Sequence, residues 1–245
     1  MTNWRLVLEY DGTDFEGWQL QPGARTVQGV LEEAFARITS RRVIVYGAGR
    51  TDAGVHAVGQ VANARAETRL EPRILQRALN ASLPRDVAVR SLCPASDVFD
   101  ARRDARSKLY LYRVWNAATR SPLHERWSHP VSVPLDLGAM RAAAAALLGT
   151  HDFASFRAAG ADGRTSVRTL TRLDVVGEPE AELRLEVEGE AFLRHMVRNL
   201  VGTLLEVGRG RRPASWPAEV LAARDRRLAG PTAPARGLTL IRVDY

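Results

Sequence analysis

Lysine is almost missing from this sequence: Lys108 stands alone, and every other member of its 35 basic residues is arginine. Cysteine is equally scarce, with Cys93 the sole example. A single cysteine excludes an intrachain disulfide framework and any cysteine-rich zinc site, and it fits a reducing, cytoplasmic setting. No run approaches the ~18 apolar residues that a membrane-spanning helix requires. The first ten residues carry Arg5 and Glu9 and lack the continuous apolar core of a secretion signal, so the expectation is a soluble protein that is not exported. The five histidines, at 56, 124, 129, 151 and 195, form no helical His-x-x-x-His pair, and no metal site is expected. There is no Gly-x-Ser-x-Gly elbow, and Cys93 sits beside Pro94 with nothing to mark it as a nucleophile, which removes serine and cysteine hydrolases.

What remains is a chain of 245 residues, 45% apolar, long enough for one large domain or two small ones. Its formal charge is +7. Guanidinium forks match phosphate oxygens and stack on bases, so nucleic acid is the first partner to consider. A GC-rich genome produces the same arginine bias, and composition by itself decides nothing.

Trp4 to Tyr10 alternates as a strand and ends in the turn signal Asp11-Gly12; Thr26 then caps a helical pattern from Val27 to about Ile38. A strand at Val43 to Tyr46, a glycine-rich loop at Gly47 to Gly54, a strand at Val58 to Ala64, a helix at Pro72 to Ala81 and a strand at Val87 to Leu92 follow. The order is β-α-β-β-α-β. The polar, arginine-rich stretch from Asp97 to Lys108 marks a boundary between halves, 1–105 and 106–245. In the second half the pattern predicts strands at Tyr110 to Trp115, Leu170 to Val176, Leu183 to Val187 and Leu238 to Val243, with helices at Leu137 to Leu148 and Phe192 to Val207. Both halves read as α+β layers of antiparallel sheet and helix. Their similar element order points to a diverged duplication, although no residue-level repeat accompanies it.

Three segments carry candidate chemistry. Gly47-Ala48-Gly49 opens like a dinucleotide fingerprint, but its third glycine would fall on Asp52, whose carboxylate would repel a pyrophosphate. The loop therefore presents Arg50 and Asp52, two residues apart. A carboxylate beside a guanidinium stays ionised and suits a nucleophile or the stabiliser of an oxocarbenium ion. An aspartate next to glycine also caps turns through its own backbone, so the pair alone leaves the role open. Second, Lys108, Tyr110 and Tyr112 share one strand face, with Leu109 and Leu111 on the other, a pattern of cation and aromatics that can stack bases but also simply fills a sheet. Third, apolar residues at 192, 193, 196, 197, 200, 201, 204 and 205 make one helix face and leave Arg194, His195, Arg198 and Asn199 on the other, where Arg194 and Arg198 project together.

Taken in this order, the segments closely resemble the tRNA pseudouridine synthase A family, whose hallmark is the Gly-Arg-Thr-Asp-Ala-Gly-Val-His-Ala run found at 49 to 57. Tyr10-Asp11-Gly12-Thr13, Gly17-Trp18-Gln19, the Tyr110 strand, His151-Asp152-Phe153 with Ser155-Phe156, and Phe192 to Gly202 also match family segments. The resemblance implies the pseudouridine synthase fold, two ferredoxin-like α/β halves forming a joined, mainly antiparallel sheet with a central cleft. It implies an isomerase that converts uridine to pseudouridine at positions 38, 39 and 40 of the tRNA anticodon stem-loop. It places the catalytic aspartate at Asp52, the active-site tyrosine at Tyr110 and the basic partner at Arg198, with Arg50 in the signature. Lys108 and Arg194 follow as RNA contacts, joined more loosely by the arginines at 102 to 106 and 209 to 212. A homodimer sharing one RNA is implied, as is a reaction that needs no cofactor. Asp52 could attack the ribose, add to the uracil ring or abstract a ribose proton. A non-catalytic RNA-binding module and an N-glycoside hydrolase are the competing readings.

Overall fold

Alternation in the first strand, β1 (Thr2–Tyr10), sets up the first layer: Trp4, Leu6, Leu8 and Tyr10 are buried on one face. The computed structural model describes residues 1–158, 165–178 and 181–245. Two units divide the chain, Met1–Arg106 together with Thr239–Tyr245, and Ser107–Leu238.

In the first unit, α1 (Val27–Thr39) starts where Thr26 Oγ1 accepts the N–H of Gly29 and stops where Ser40 turns left-handed at φ 55°. The strands β2 (Val45–Gly47), β3 (His56–Ala66) and β4 (Val87–Pro94) complete an antiparallel set in the order β4-β1-β3-β2, with α2 (Pro72–Ser82) between β3 and β4. Helix α1 packs on α2 and β2, and α2 on β4. This is the ferredoxin-like βαββαβ order that the sequence pattern predicts, with β2 shortened to three residues and β3 beginning two residues early, at His56. On the other face of β1, Asn3 donates to the carbonyls of Ser96 and Phe99, and Asn63 donates to Asn3 while accepting from Ala101 N–H. Two buried amides thus pin the segment that leads out of the unit.

The last strand, β10 (Leu238–Asp244), returns to this unit, whereas the sequence boundary of 106–245 keeps it in the second half. The reason is local. Strand β2 pairs only with residues 62–64 of β3, and the free stretch of the same edge takes β10 in parallel at Thr239↔His56 and Leu240↔Ala57.

The second unit orders its strands β5-β9-β8-β7, all antiparallel, from β5 (Ser107–Asn116), β9 (Glu182–Gly189), β8 (Val167–Val176) and β7 (Gly149–Asp152). A short strand β6 (His129–Val131) runs parallel to β5. Strand β9 alternates cleanly, with Leu183, Leu185 and Val187 buried. Helices α3 (Leu137–Ala145), α4 (Met196–Gly208) and α5 (Trp216–Ala223) pack on one another, and α3 on β8.

Helix α4 differs from its predicted span of 192 to 207. His195 adopts a left-handed conformation, φ 62°, which no helix interior accommodates, so the helix begins at Met196. Nor does it keep a polar face. Asn199 and Thr203 are fully buried because the chain segment around 230–233 lies across them. Gly202 permits that approach: a Cβ there would fall 1.7 Å from the carbonyl oxygen of Pro231. Among the described residues no helix is long and apolar enough to cross a membrane.

Candidate active site

The glycine-rich loop joins β2 to β3, and its backbone is held at nearly every residue. Ala48 N–H donates to Val61 O at 2.7 Å, Gly49 O accepts Gln60 Nε2 at 2.9 Å, and Thr51 O accepts Trp18 N–H at 3.0 Å. Thr51 Oγ1 lies 2.9 Å from the hydroxyl of Tyr10, which also accepts Gln60 Nε2 at 3.4 Å. Asp52 O accepts Val55 N–H to close a turn, and Gly54 N–H reaches Phe15 O.

The segment 11–18 makes this possible by close approach. A Cβ on Gly12 would stand 2.0 Å from Val55 O, and one on Gly17, at φ 90°, would stand 2.7 Å from Thr51 O. No other residue type fits either position without moving the loop. Gly12 N–H donates to Nδ1 of the buried His56 at 3.1 Å, tying the turn after β1 to the start of β3.

The consequence is an in-and-out loop. Thr51, Val55 and His56 are buried, while Arg50 is exposed and Asp52 half-exposed on either side of Thr51. The two residues that the sequence singles out therefore face outward from a backbone fixed by hydrogen bonds. Tyr10, 3% exposed, has its phenol pushed up to about 12 by burial, partly offset by the bonds to Thr51 and Gln60, and it stays a neutral hydroxyl.

The remaining candidates belong to the second unit. Tyr110 stands opposite Val187 in the β5–β9 ladder, is 7% exposed, and meets the ring of Phe192 edge-on at 5.2 Å. Lys108 stands opposite Gly189 and is 9% exposed, not the open cation that a phosphate contact suggests. Tyr112 is a core residue and not part of an exposed aromatic platform: it is fully buried, donates its hydroxyl to Pro234 O at 2.9 Å, and packs its ring against the backbone at Gly237. Burial pushes its phenol well above the ordinary range, against the opposing pull of Arg198 and Arg236.

Arg198, half-buried on the first turn of α4, donates Nε–H to Ala233 O at 2.7 Å, and its own carbonyl accepts Ala233 N–H. Beside it, Asn199 donates to Phe156 O at 2.8 Å and accepts from Thr232 Oγ1 at 2.6 Å and Arg226 Nη2 at 3.1 Å. Thr203 Oγ1 accepts Gly230 N–H at 3.0 Å. This network clamps the loop bearing Ala233 to α4 and so orients Arg198. Arg194 lies before the helix starts, so it does not share a helix face with Arg198 as expected; it is exposed, and its carbonyl accepts Ala158 N–H. Of the looser arginine candidates, Arg102, Arg103 and Arg106 are exposed, whereas Arg209 and Arg211 are both engaged by Glu206, at 2.8 and 3.2 Å.

Sequence reasoning names Tyr10 only within a matching family segment and Asn199 only as a polar helix position, and it misses Gln60; the bonds of Tyr10 and Gln60 to the loop are not foreseen. Both sit at ordinary strand positions, and no local pattern marks the bonds they make to the loop.

Comparison with known proteins agrees with these segments. The family model described as tRNA pseudouridine synthase matches residues 6–102 and 143–245. The tRNA pseudouridine synthase A of Myxococcus xanthus is 51% identical over all of this chain and 92% of its own length. The enzymes of the same name from Bordetella petrii and Citrifermentans bemidjiense are 48% and 44% identical, again over all of this chain and over 92% and 98% of theirs. A solved Cbf5–Nop10–Gar1 complex is a remote likeness, 12% identical with a TM-score of 0.36, over 97% of this chain and 58% of that one. With identity of this order running from end to end and the signature loop inside the matched residues, the chain belongs to the tRNA pseudouridine synthase A family.

Proposed function

We propose that this chain isomerises uridine to pseudouridine at positions 38, 39 and 40 of the tRNA anticodon stem-loop, with Asp52 as the catalytic carboxylate. The observation that carries this is the loop itself: a half-exposed aspartate on a backbone fixed at Ala48, Gly49, Thr51 and Gly54. Such rigidity is what a reacting carboxylate requires, because rate depends steeply on where the attacking atom is held. A protein that merely bound RNA would gain nothing from a carboxylate presented to a polyanion.

The reaction balances without a co-reactant. The N1–C1′ bond of uridine breaks, the uracil turns, C5 bonds to C1′, the C5 proton leaves and N1 ends protonated. Nothing is oxidised and no group is transferred away, so the chemistry calls for no cofactor. Arg50 is assigned to charge balance beside the carboxylate, and the family resemblance gives Arg198 the part of a basic residue toward the substrate and Tyr110 that of a contact to the flipped base. Of the two softer RNA contacts, Arg194 has the surface to meet a phosphate, and Lys108 has little. Action as a cytoplasmic homodimer sharing one RNA belongs to the same proposal, and light scattering checks the dimer.

Unmodified tRNA transcripts incubated with the protein, then mapped by chemical labelling, test the assignment. Pseudouridine is expected at 38–40 and absent when those uridines are replaced by cytidine. Modification elsewhere would refute the positional claim, free uracil would indicate a hydrolase, and binding without product would indicate an RNA-binding module.

A further inference from the structure

Tyr10 and Gln60 lie beneath the signature loop, touch it only from inside, and have no assigned part in the reaction. We propose that Tyr10 is a positioning residue: through Thr51, and with Gln60 through Gly49, its hydroxyl sets the backbone on which Asp52 stands. This rests on the reading of Asp52 as the catalytic carboxylate.

The geometry is specific. The Tyr10 hydroxyl, at the buried end of β1, is 2.9 Å from Thr51 Oγ1, and Gln60 Nε2 is shared between that hydroxyl and Gly49 O. Gly49 and Thr51 bracket Arg50, and Thr51 immediately precedes Asp52, so two side chains fix the loop on the approach to its reacting residue. The Tyr10 ring packs near Trp18, with centroids 6.4 Å apart, where a phenylalanine would satisfy packing equally well. A hydroxyl buried there without a partner would be unfavourable, so its presence is explained by the bond it makes to the loop. Gln60 points the same way. It is fully buried, and directing Nε2 at Gly49 O leaves Oε1 without a hydrogen-bond partner among the described residues. Buried unsatisfied acceptors are rare and tend to persist where orientation matters more than local stability. Because burial keeps Tyr10 protonated up to about pH 12, its contribution is a constant hydrogen bond and not a titrating one.

The test uses single-turnover pseudouridine formation on tRNA, with tRNA affinity measured in parallel, for Tyr10→Phe, Thr51→Val, Thr51→Ser and Asp52→Asn. Tyr10→Phe and Thr51→Val are each expected to slow the chemical step by about tenfold to a hundredfold with affinity within about twofold of wild type. Thr51→Ser, which retains the hydroxyl, recovers most of the rate lost in Thr51→Val. A packing role would give the reverse order, since valine matches the shape of threonine and serine does not. A Tyr10→Phe rate within about twofold of wild type, or a Thr51→Val enzyme faster than Thr51→Ser, overturns the proposal. If Tyr10→Phe does not fold, the two Thr51 variants decide the matter alone. Full turnover by Asp52→Asn overturns the premise, whatever Tyr10 does, and the two failures are thereby told apart.

Discussion

The loop that carries Asp52 and the first turn of α4 that carries Arg198 solve the same problem with different chemistry. Each presents a half-exposed charged side chain from a backbone held by buried polar groups. In the loop those groups are neutral: Tyr10, Thr51, Gln60 and main-chain carbonyls. At α4 the network includes the guanidinium of Arg226, shared among Asn199, Thr232 and Gly230. A neutral network loses only modest bonds when a member is removed. A charged one leaves a half-buried guanidinium short of an acceptor and, at the fully buried Asn199, a carbonyl short of its donor. The loop is therefore built to tolerate perturbation in stability while depending on it for position, and the α4 clamp is built the other way round.

The contrast is sharpest at Asn199. Asn199→Ala removes the acceptor of Arg226 and Thr232 and the donor to Phe156 O at once, and is expected to destabilise the second unit by about 3 kcal/mol in urea titration. Gly12→Ala comes next. A methyl 2.0 Å from Val55 O forces the segment 11–18 off the loop, with an expected loss of about 2 kcal/mol and of activity in the protein that remains folded. Tyr10→Phe is expected to cost only about 1 kcal/mol, since the bonds lost are neutral, the one to Gln60 is long at 3.4 Å, and Gln60 keeps Gly49 O. Equal losses for Asn199→Ala and Tyr10→Phe would break the distinction between the two networks.

A pH dependence confined to the second unit is a further check on its buried polar groups. Burial, reinforced by Arg209 and Arg236, pulls His129 down from 6.5 to about 4. A histidine held neutral in the fold but free to charge when unfolded contributes stability above pH 6.5 and loses it progressively as pH falls toward 4. Melting temperature should therefore drop between pH 7 and pH 5, and His129→Gln should shrink that drop.

Much of the architecture was legible because it follows from periodicity. Alternation in β1 and β9, Thr26 ahead of α1 and the proline that opens α2 all give local signals that survive into the fold. What was not legible depended on distant neighbours. Asn199 falls on the polar side of a helical wheel, and only the chain near 231 makes it a core residue. His195 gives no warning of a left-handed turn, so the start of α4 was read four residues early. Strand β10 joins the first unit through a stretch of edge that exists only because β2 is short. At the site, Arg50 and Asp52 stood out through an uncommon pattern of charge among glycines, whereas Tyr10 and Gln60 work through two hydrogen bonds to residues about 40 and 11 positions away, which no local pattern encodes.

The most direct measurement is release of tritium from tRNA labelled at C5 of uridine, followed for the wild type and Asp52→Asn with tRNA binding measured side by side. The account predicts steady release by the wild type, none above background by the variant, and equal binding by both. Release by Asp52→Asn at a rate near that of the wild type would contradict it.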